Sequence, residues 1–529
     1  SSARTHSTRS PMDAEVAVQP GARNGAGAAT IPPATPASEP APAAPAVARP
    51  PAPSPRPAPA AAPVFRLCDR LNEIDRQFLI YETAAAQMHI AGTAVFEGGA
   101  LRRPDGAIDM ARVRAFIESR LPRIPRYRQV VSFTPLGRHI WVDDPRFEIE
   151  YHVRQTSLPR PGSEEQLKAL CGRLLSLPLD RERPLWEVWI VDGVEGDRVG
   201  FVSKVHHAMV DGVRSIDLLE AILSPDPVAD FDPAPAWQPR PRPPAAMLVL
   251  DDVGRALRLA ADVAGTMPRL VRDAIRSGSD LRLGVKAAAG LWYDTVRRPS
   301  ETPLNRRIGT HRRFDWVDVD LADVKAVRAA LGGTINDVAL ATMTGAVRKF
   351  MLHRGLDPAK LDFRVMAPVS IAARTGRSDE LSNRVSAWMV RLPLAEPDPR
   401  RQLAAIQKTT SRLKEERNAL GGLLLSRLSG LMPATLLALG SKLQWRNLPC
   451  NMVVTNVPGP TRPLYLLGAR MLNYRGALPI TNWLGLGTVV VSYGGKLQYG
   501  FIADWDLVPD LEVFAGCVRE AFGELRAAA

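Results

Sequence analysis

Cysteine is scarce in this chain. Four occur among 529 residues, Cys68, Cys171, Cys450 and Cys517, and no two form a Cys-x-x-Cys pair. That scatter argues against a zinc module and suggests reduced thiols in a cytosolic setting. Histidine is scarce too, at eight residues. Long apolar runs are missing as well. From Met247 to Arg298, charge interrupts every stretch before it reaches the ~18 residues of a bilayer span. Leu423 to Leu439 is strongly apolar but broken by Arg427, Gly430 and Pro433, which reads as a buried or membrane-touching hairpin. No Ser or Cys sits in a nucleophile-elbow pattern, so nothing suggests a covalent enzyme intermediate. No nucleic-acid-binding motif is present.

Charge is nearly absent from the start of the chain. From Ala28 to Pro63 the residues are almost all Ala and Pro, with Glu39, Arg49 and Arg56 as the sole charges. Such a segment cannot bury apolar surface, and proline blocks a regular helix. Residues 1–63 therefore read as a disordered, partly polyproline-II arm without the apolar core of a signal peptide. The arm holds five Arg against Asp13, Glu15 and Glu39, so +2 of the net +13 lies there and +11 falls on the rest. The remainder is ordinary for a globular protein, at 46% hydrophobic and 23% charged overall, and long enough for two domains or subdomains. The basic balance fits an anionic partner, and without a nucleic-acid motif a phospholipid surface or a phosphorylated substrate is favoured.

The richest stretch is Lys204-Val205-His206-His207-Ala208-Met209-Val210-Asp211-Gly212. The apolar run Val199 to Val205 reads as a buried strand, and Val213 to Leu223 as a helix with Ile216, Leu219, Ile222 and Leu223 on one face. The histidines thus fall where a strand ends and the chain turns, a common place for chemistry. An ordinary histidine pKa of ~6.5 suits a general base near neutrality, and His207 and Asp211 are four residues apart. A metal site is disfavoured, because no third ligand of the right type lies nearby.

His206-His207-x-x-x-Asp211-Gly212 resembles the HHxxxDG motif of the bacterial wax ester synthase/acyl-CoA:diacylglycerol acyltransferase family, within the coenzyme-A-dependent acyltransferase superfamily. Other segments resemble that family in the same order. Arg70 to Leu79, Glu82 and Met88-His89-Ile90 look like its opening. Arg183-Pro184-Leu185-Trp186-Glu187 looks like its PLW motif. Thr334-Ile335-Asn336-Asp337 looks like its Asn-Asp segment, and Asn456-Val457-Pro458-Gly459-Pro460 like its NVPGP turn. Ser382 stands before Asn383 where the family has glycine.

The resemblance implies an α/β fold of two chloramphenicol-acetyltransferase-like subdomains, with mixed sheets flanked by helices and an active-site tunnel between them. The expected divisions are an N-terminal subdomain over 64–223, a Pro-rich linker with basic amphipathic helices over 224–302, and a C-terminal subdomain over 303–529. It implies an O-acyltransferase that uses acyl-CoA as substrate, with diacylglycerol or a long-chain alcohol as acceptor and no separate cofactor. His207 is expected to be the general base, His206 to support the loop, and Asp211 to be structural, ion-paired with an arginine. Gly212, Asn336 and Asp337 are expected to bind substrate or support the oxyanion; for Asn336 a helix cap alone is the rival reading. Pro184, Leu185 and Trp186 are expected to shape the tunnel, and His89 to be buried and hydrogen-bonded. The arginine-laced helices after Met247 either lie on an anionic membrane or lipid droplet or pack on the body with their arginines in water. A peripheral cytoplasmic placement follows from the first reading. Two other functions remain open: a condensation-type or carrier-linked acyltransferase, and a non-catalytic lipid-surface protein.

Overall fold

A computed structural model describes residues 68–71, 73–209, 215–227, 230–276, 298–370, 385–421 and 449–529. The arm, Asp211, Gly212, Asn383 and the apolar stretch 423–439 lie outside the described residues, so their expected roles are not addressed by it.

The described strands, in chain order, are β1 (Asp69–Arg70), β2 (His89–Glu97), β3 (Gln129–Phe133), β4 (His139–Asp143), β5 (Val153–Ser157), β6 (Trp186–Val194) and β7 (Arg198–His206). They continue as β8 (Arg312–Asp320), β9 (Arg364–Ser370), β10 (Val385–Arg391), β11 (Met452–Val457), β12 (Tyr465–Leu466), β13 (Ala469–Ala477), β14 (Leu486–Tyr493) and β15 (Lys496–Asp504). One six-stranded sheet has the order β12-β13-β2-β7-β6-β5 and the other β10-β9-β11-β14-β15-β8. Both are mixed, as expected: β5 runs parallel to β6, and β11 parallel to β9 and β14, while their other pairings are antiparallel. A small sheet, β1-β4-β3, stands apart. One apolar core joins the first sheet to one face of the second, through Phe314, Trp316, Val489, Val491 and Ile502, and another lies on the second sheet's opposite face.

Helix ends follow local chemistry. Glu164–Ser176 begins with a capping box, in which Ser163 and Gln166 each accept from the other's region of backbone. Thr334 and Asp337 do the same for Ile335–His353. The hairpin β14–β15 turns on Gly494 and Gly495, both at positive φ, where glycine carries no Cβ penalty.

Two features join the halves. β12 and β13 come from the chain after residue 303 yet complete the sheet built from β2, β5, β6 and β7. The helix Glu164–Ser176 packs against β8, where Lys168 pairs with Asp315 at 2.8 Å. Trp316 lies between the Lys168 ammonium and the Arg475 guanidinium, 4.9 and 4.5 Å from its ring centre, and Arg475 in turn binds Asp318 at 2.5 Å. The sheets approach so closely at Gly476 and Gly500 that a Cβ on Gly500 would run into the Gly476 carbonyl oxygen.

The segment after residue 230 is extended rather than helical until Ala245, as its prolines dictate. It lies along the first half of the chain: Trp237 Nε1 donates to the Asp144 carbonyl at 3.0 Å, and Arg240 pairs with Asp143 at 2.9 Å. The helix Ala245–Arg276 follows and is fixed to the small sheet. Arg70 pairs with Asp251 at 2.6 Å and also with Asp252, and Thr134 Oγ1 donates to Asp252 at 2.6 Å. Among the described residues no helix is long and apolar enough to cross a membrane.

Candidate active site

The expected junction is present. β7 ends at His206, and His207–Met209 form a single tight turn. Hydrogen bonds on both sides fix the exit: His206 N donates to Leu185 O at 2.9 Å, and His207 N to Met88 O at 2.8 Å. Leu185, expected to shape a tunnel, therefore holds the motif through its carbonyl. The helix after the motif spans Ser215–Ile222.

The two histidines differ in environment. His206 is fully buried, and its Nδ1 accepts from Ala208 N at 3.1 Å. A ring nitrogen that accepts from an amide is unprotonated, so in neutral His206 the proton resides on Nε2. That atom faces Glu82 Oε1 at 3.5 Å, and Glu82 is itself paired with Arg181 at 2.6 Å. Burial, with added repulsion from His207 and Arg181, pushes the His206 pKa down to about 3. His206 is thus a buried, neutral ring at the end of β7.

His207 is half-buried. Its ring lies flat against Phe78, with centroids 3.9 Å apart and planes inclined by 19°. Desolvation brings its pKa down to about 4, opposed only by a hydrogen bond to its own main chain. Nδ1 is buried and finds no partner on another described residue. At neutral pH the ring is uncharged and can accept a proton. His89 is buried, as expected: it pairs with His206 across β2 and β7, and its Nε2 meets Leu175 O at 3.1 Å.

Behind the motif lies a buried ion pair that sequence reasoning missed. Lys204 on β7 and Glu187 on β6 stand directly opposite, and the ammonium binds the carboxylate. It also donates to Leu174 O at 3.1 Å and Leu177 O at 2.8 Å, carbonyls at the end of the helix Glu164–Ser176. Lysine there satisfies orphan carbonyls and meets the negative end of the helix dipole. The available signal was one lysine two residues before His206 and one glutamate directly after Trp186, in largely apolar strands.

Trp186 is buried, with Nε1 donating to Tyr127 O at 2.8 Å and its ring stacked on His152 at 4.5 Å. It also joins Pro184, Tyr151, Arg154 and Glu187 around an open cavity of about 300 Å³. In the second half, Asn336 is the second residue of its helix and its Oδ1 accepts from Asn456 Nδ2 at 3.3 Å. The Asn-Asp and NVPGP segments therefore meet. The Asp337 carboxylate, expected to bind substrate or support the oxyanion, is buried and bonded within the protein. It accepts from Thr334 N and Oγ1, both at 2.8 Å, and from Thr410 Oγ1 at 2.7 Å. Its side chain builds the helix start that presents Asn336.

Comparisons with known proteins identify the family. Residues 71–339 match the wax ester synthase/diacylglycerol acyltransferase catalytic domain, and residues 381–526 the WS/DGAT C-terminal domain. A putative diacylglycerol O-acyltransferase of Mycobacterium tuberculosis is 32% identical over 480 residues, covering 88% of this chain and 91% of the relative. A probable diacylglycerol O-acyltransferase of the same organism is 32% identical over 467 residues, covering 86% and 96%. The solved wax ester synthase/diacylglycerol acyltransferase of Marinobacter aquaeolei VT8 shares the fold, with a TM-score of 0.60 at 24% identity over 87% of this chain and 99% of that one. The chain belongs to the wax ester synthase/diacylglycerol acyltransferase family.

Proposed function

We propose that this protein is an acyl-CoA-dependent O-acyltransferase that transfers a long-chain acyl group to the hydroxyl of diacylglycerol or of a long-chain alcohol. The reading is carried by His207: an uncharged, half-buried imidazole at a strand end, in a chain of this family. The accessible nitrogen is Nε2, because Nδ1 is buried. Nε2 takes the proton of the acceptor hydroxyl as its oxygen bonds to the thioester carbonyl carbon. The resulting tetrahedral oxyanion needs donors already in place, an effect worth ~3 kcal/mol per donor. The amide of Asn336 is one candidate donor. Collapse breaks the carbon–sulfur bond, and the leaving coenzyme A thiolate recovers the proton from His207. Atoms and charge balance with acyl-CoA and acceptor as the sole reactants, so the step calls for no further cofactor.

The acceptors and products are nearly insoluble, so the proposal includes peripheral attachment to an anionic membrane face or lipid body in the cytoplasm. The +11 outside the arm supports it, and so does the helix Ala245–Arg276. That helix turns Leu248 and Asp252 inward and leaves Met247, Leu250, Val253 and Leu257 exposed on the other side. The test of the activity is purified protein with radiolabelled palmitoyl-CoA, offered hexadecanol or dioleoylglycerol in parallel. Labelled wax ester or triacylglycerol is the expected product. Neither product, from protein folded by circular dichroism, would overturn the reading.

A further inference from the structure

The flat contact between Phe78 and His207 is the closest aromatic stack among the described residues. Phe78 sits on the helix Glu73–Tyr81, far from the motif in sequence, and that helix packs on the His207–Met209 turn. We infer that Phe78 is a positioning residue for the acyl-transfer reaction, its ring plane holding the His207 imidazole in one orientation. The inference rests on the assignment of His207 as the base.

The physical argument has two steps. The turn anchors His207 only by its backbone, through N–H to Met88 O, and Nδ1 has no partner on another described residue. The stacked Phe78 face limits rotation of the ring about the Cβ–Cγ bond. A base must meet its proton within hydrogen-bond reach, and a displacement of ~1 Å can cost on the order of 100-fold in rate. Phe78 is itself buried, so its plane is fixed by the surrounding core.

The same ring also keeps water from one face of the imidazole. Desolvation is the one cause that lowers the His207 pKa. The titratable groups on the elements packed around it include Asp75, Arg76, Tyr81 and Glu82 of the helix Glu73–Tyr81 and its end, His89 of β2, and Lys204 and His206 of β7. Glu82 is occupied by Arg181, and His89 and His206 are neutral, both with lowered pKa. Removing the aromatic ring should thus raise the His207 pKa from about 4 toward its ordinary ~6.5.

The test is the pH profile of steady-state transfer from palmitoyl-CoA by Phe78→Leu, with Phe78→Met as a second, near volume-conserving variant should Leu lower the folded fraction. Both are expected to lose on the order of 10- to 100-fold in kcat with KM for acyl-CoA little changed. The acidic limb of the profile should move up by about one pH unit or more. Phe78→Tyr, which keeps the ring plane, should restore most of kcat and the original limb. Wild-type kcat with an unmoved limb in folded Phe78→Leu or Phe78→Met overturns the inference. So does a loss of kcat that merely tracks the loss of folded protein. His207→Ala run alongside separates the two proposals: retained turnover there removes the base assignment itself, and with it the role of Phe78.

Discussion

Lys204 and Glu187 face one another across β7 and β6 as a buried ion pair, two residues before His206 and one after Trp186. Burial, with added repulsion from Arg154, depresses the lysine pKa, and the Glu187 carboxylate works against that. Its other two bonds hold the end of the helix Glu164–Ser176, which in turn packs on the second half of the chain through Lys168 and Asp315. The pair therefore links the strand that carries the His206-His207 turn to the contact between the halves.

Lys204→Met removes the cation and leaves a buried carboxylate and two helix-end carbonyls without it. Breaking a buried pair from one side costs about 3–5 kcal/mol. Arg154, 3.8 Å from Glu187, will offset part of that. The double variant Lys204→Met/Glu187→Leu should recover some stability by removing the stranded charge, yet stay below wild type because the Leu177 carbonyl loses its lysine donor and the Leu174 carbonyl keeps only the Leu177 N–H. Urea denaturation at pH 7 measures both. Equal stability of the single and double variants would count against the ion pair as the source.

Stability should fall on acidification well before the carboxylates titrate. His89, His152, His206 and His207 all have lowered pKa values through burial, the last three at about 4, 3 and 4. In the unfolded chain each returns to ~6.5. Between about 6.5 and about 4 the unfolded state therefore binds protons that the folded state refuses, and folding stability rises with pH across that window. Read downward, the stability is intact above pH 7 and is lost progressively as pH drops through 6.5 toward 4. His152→Phe, at a ring stacked on Phe147 and Trp186, should flatten the slope. Thermal melts from pH 8 to 5 follow this directly, and a constant Tm between pH 7 and 5 would contradict it.

Much of this architecture is legible locally. The β14–β15 hairpin, the strand end at His206 and the helix caps at Ser163 and Thr334 follow from alternation, turn glycines and capping residues. The first strand shows where local reading stops. Ala94 to Phe96 is the apolar part, but β2 begins at His89, and within it Gly92 leaves room for the Tyr474 ring of β13. No local pattern announces that β13, nearly four hundred residues away, completes that sheet. The same holds for Phe78 and His207, and for Asp337, where a carboxylate next to Asn336 reads equally well as a ligand group or a cap. Long-range pairing decides each case.

The exposed face of the helix Ala245–Arg276 gives the sharpest test of lipid attachment. Leu250 is 72% exposed and Leu257 is 66% exposed, with Met247 and Val253 beside them. The opposite face is locked to the small sheet through Arg70 and Asp252, so the helix cannot simply roll its leucines inward. Basic Arg255 and Arg258 lie on the same stretch, and basic groups near an anionic leaflet contribute ~1 kcal/mol each within a Debye length. Burying a leucine contributes about 1.5–3 kcal/mol. The variant Leu250→Glu/Leu257→Glu should therefore lose at least about tenfold in partition to anionic vesicles and to neutral oil droplets. Its Tm and its turnover on detergent-dispersed substrate should stay near wild type, because neither residue packs inside the fold. Wild-type binding to vesicles should weaken as salt rises, while binding to neutral droplets persists through the apolar face. Equal flotation of wild type and variant would remove this helix as the contact, and a wild type that floats with neither vesicles nor droplets would remove lipid attachment altogether.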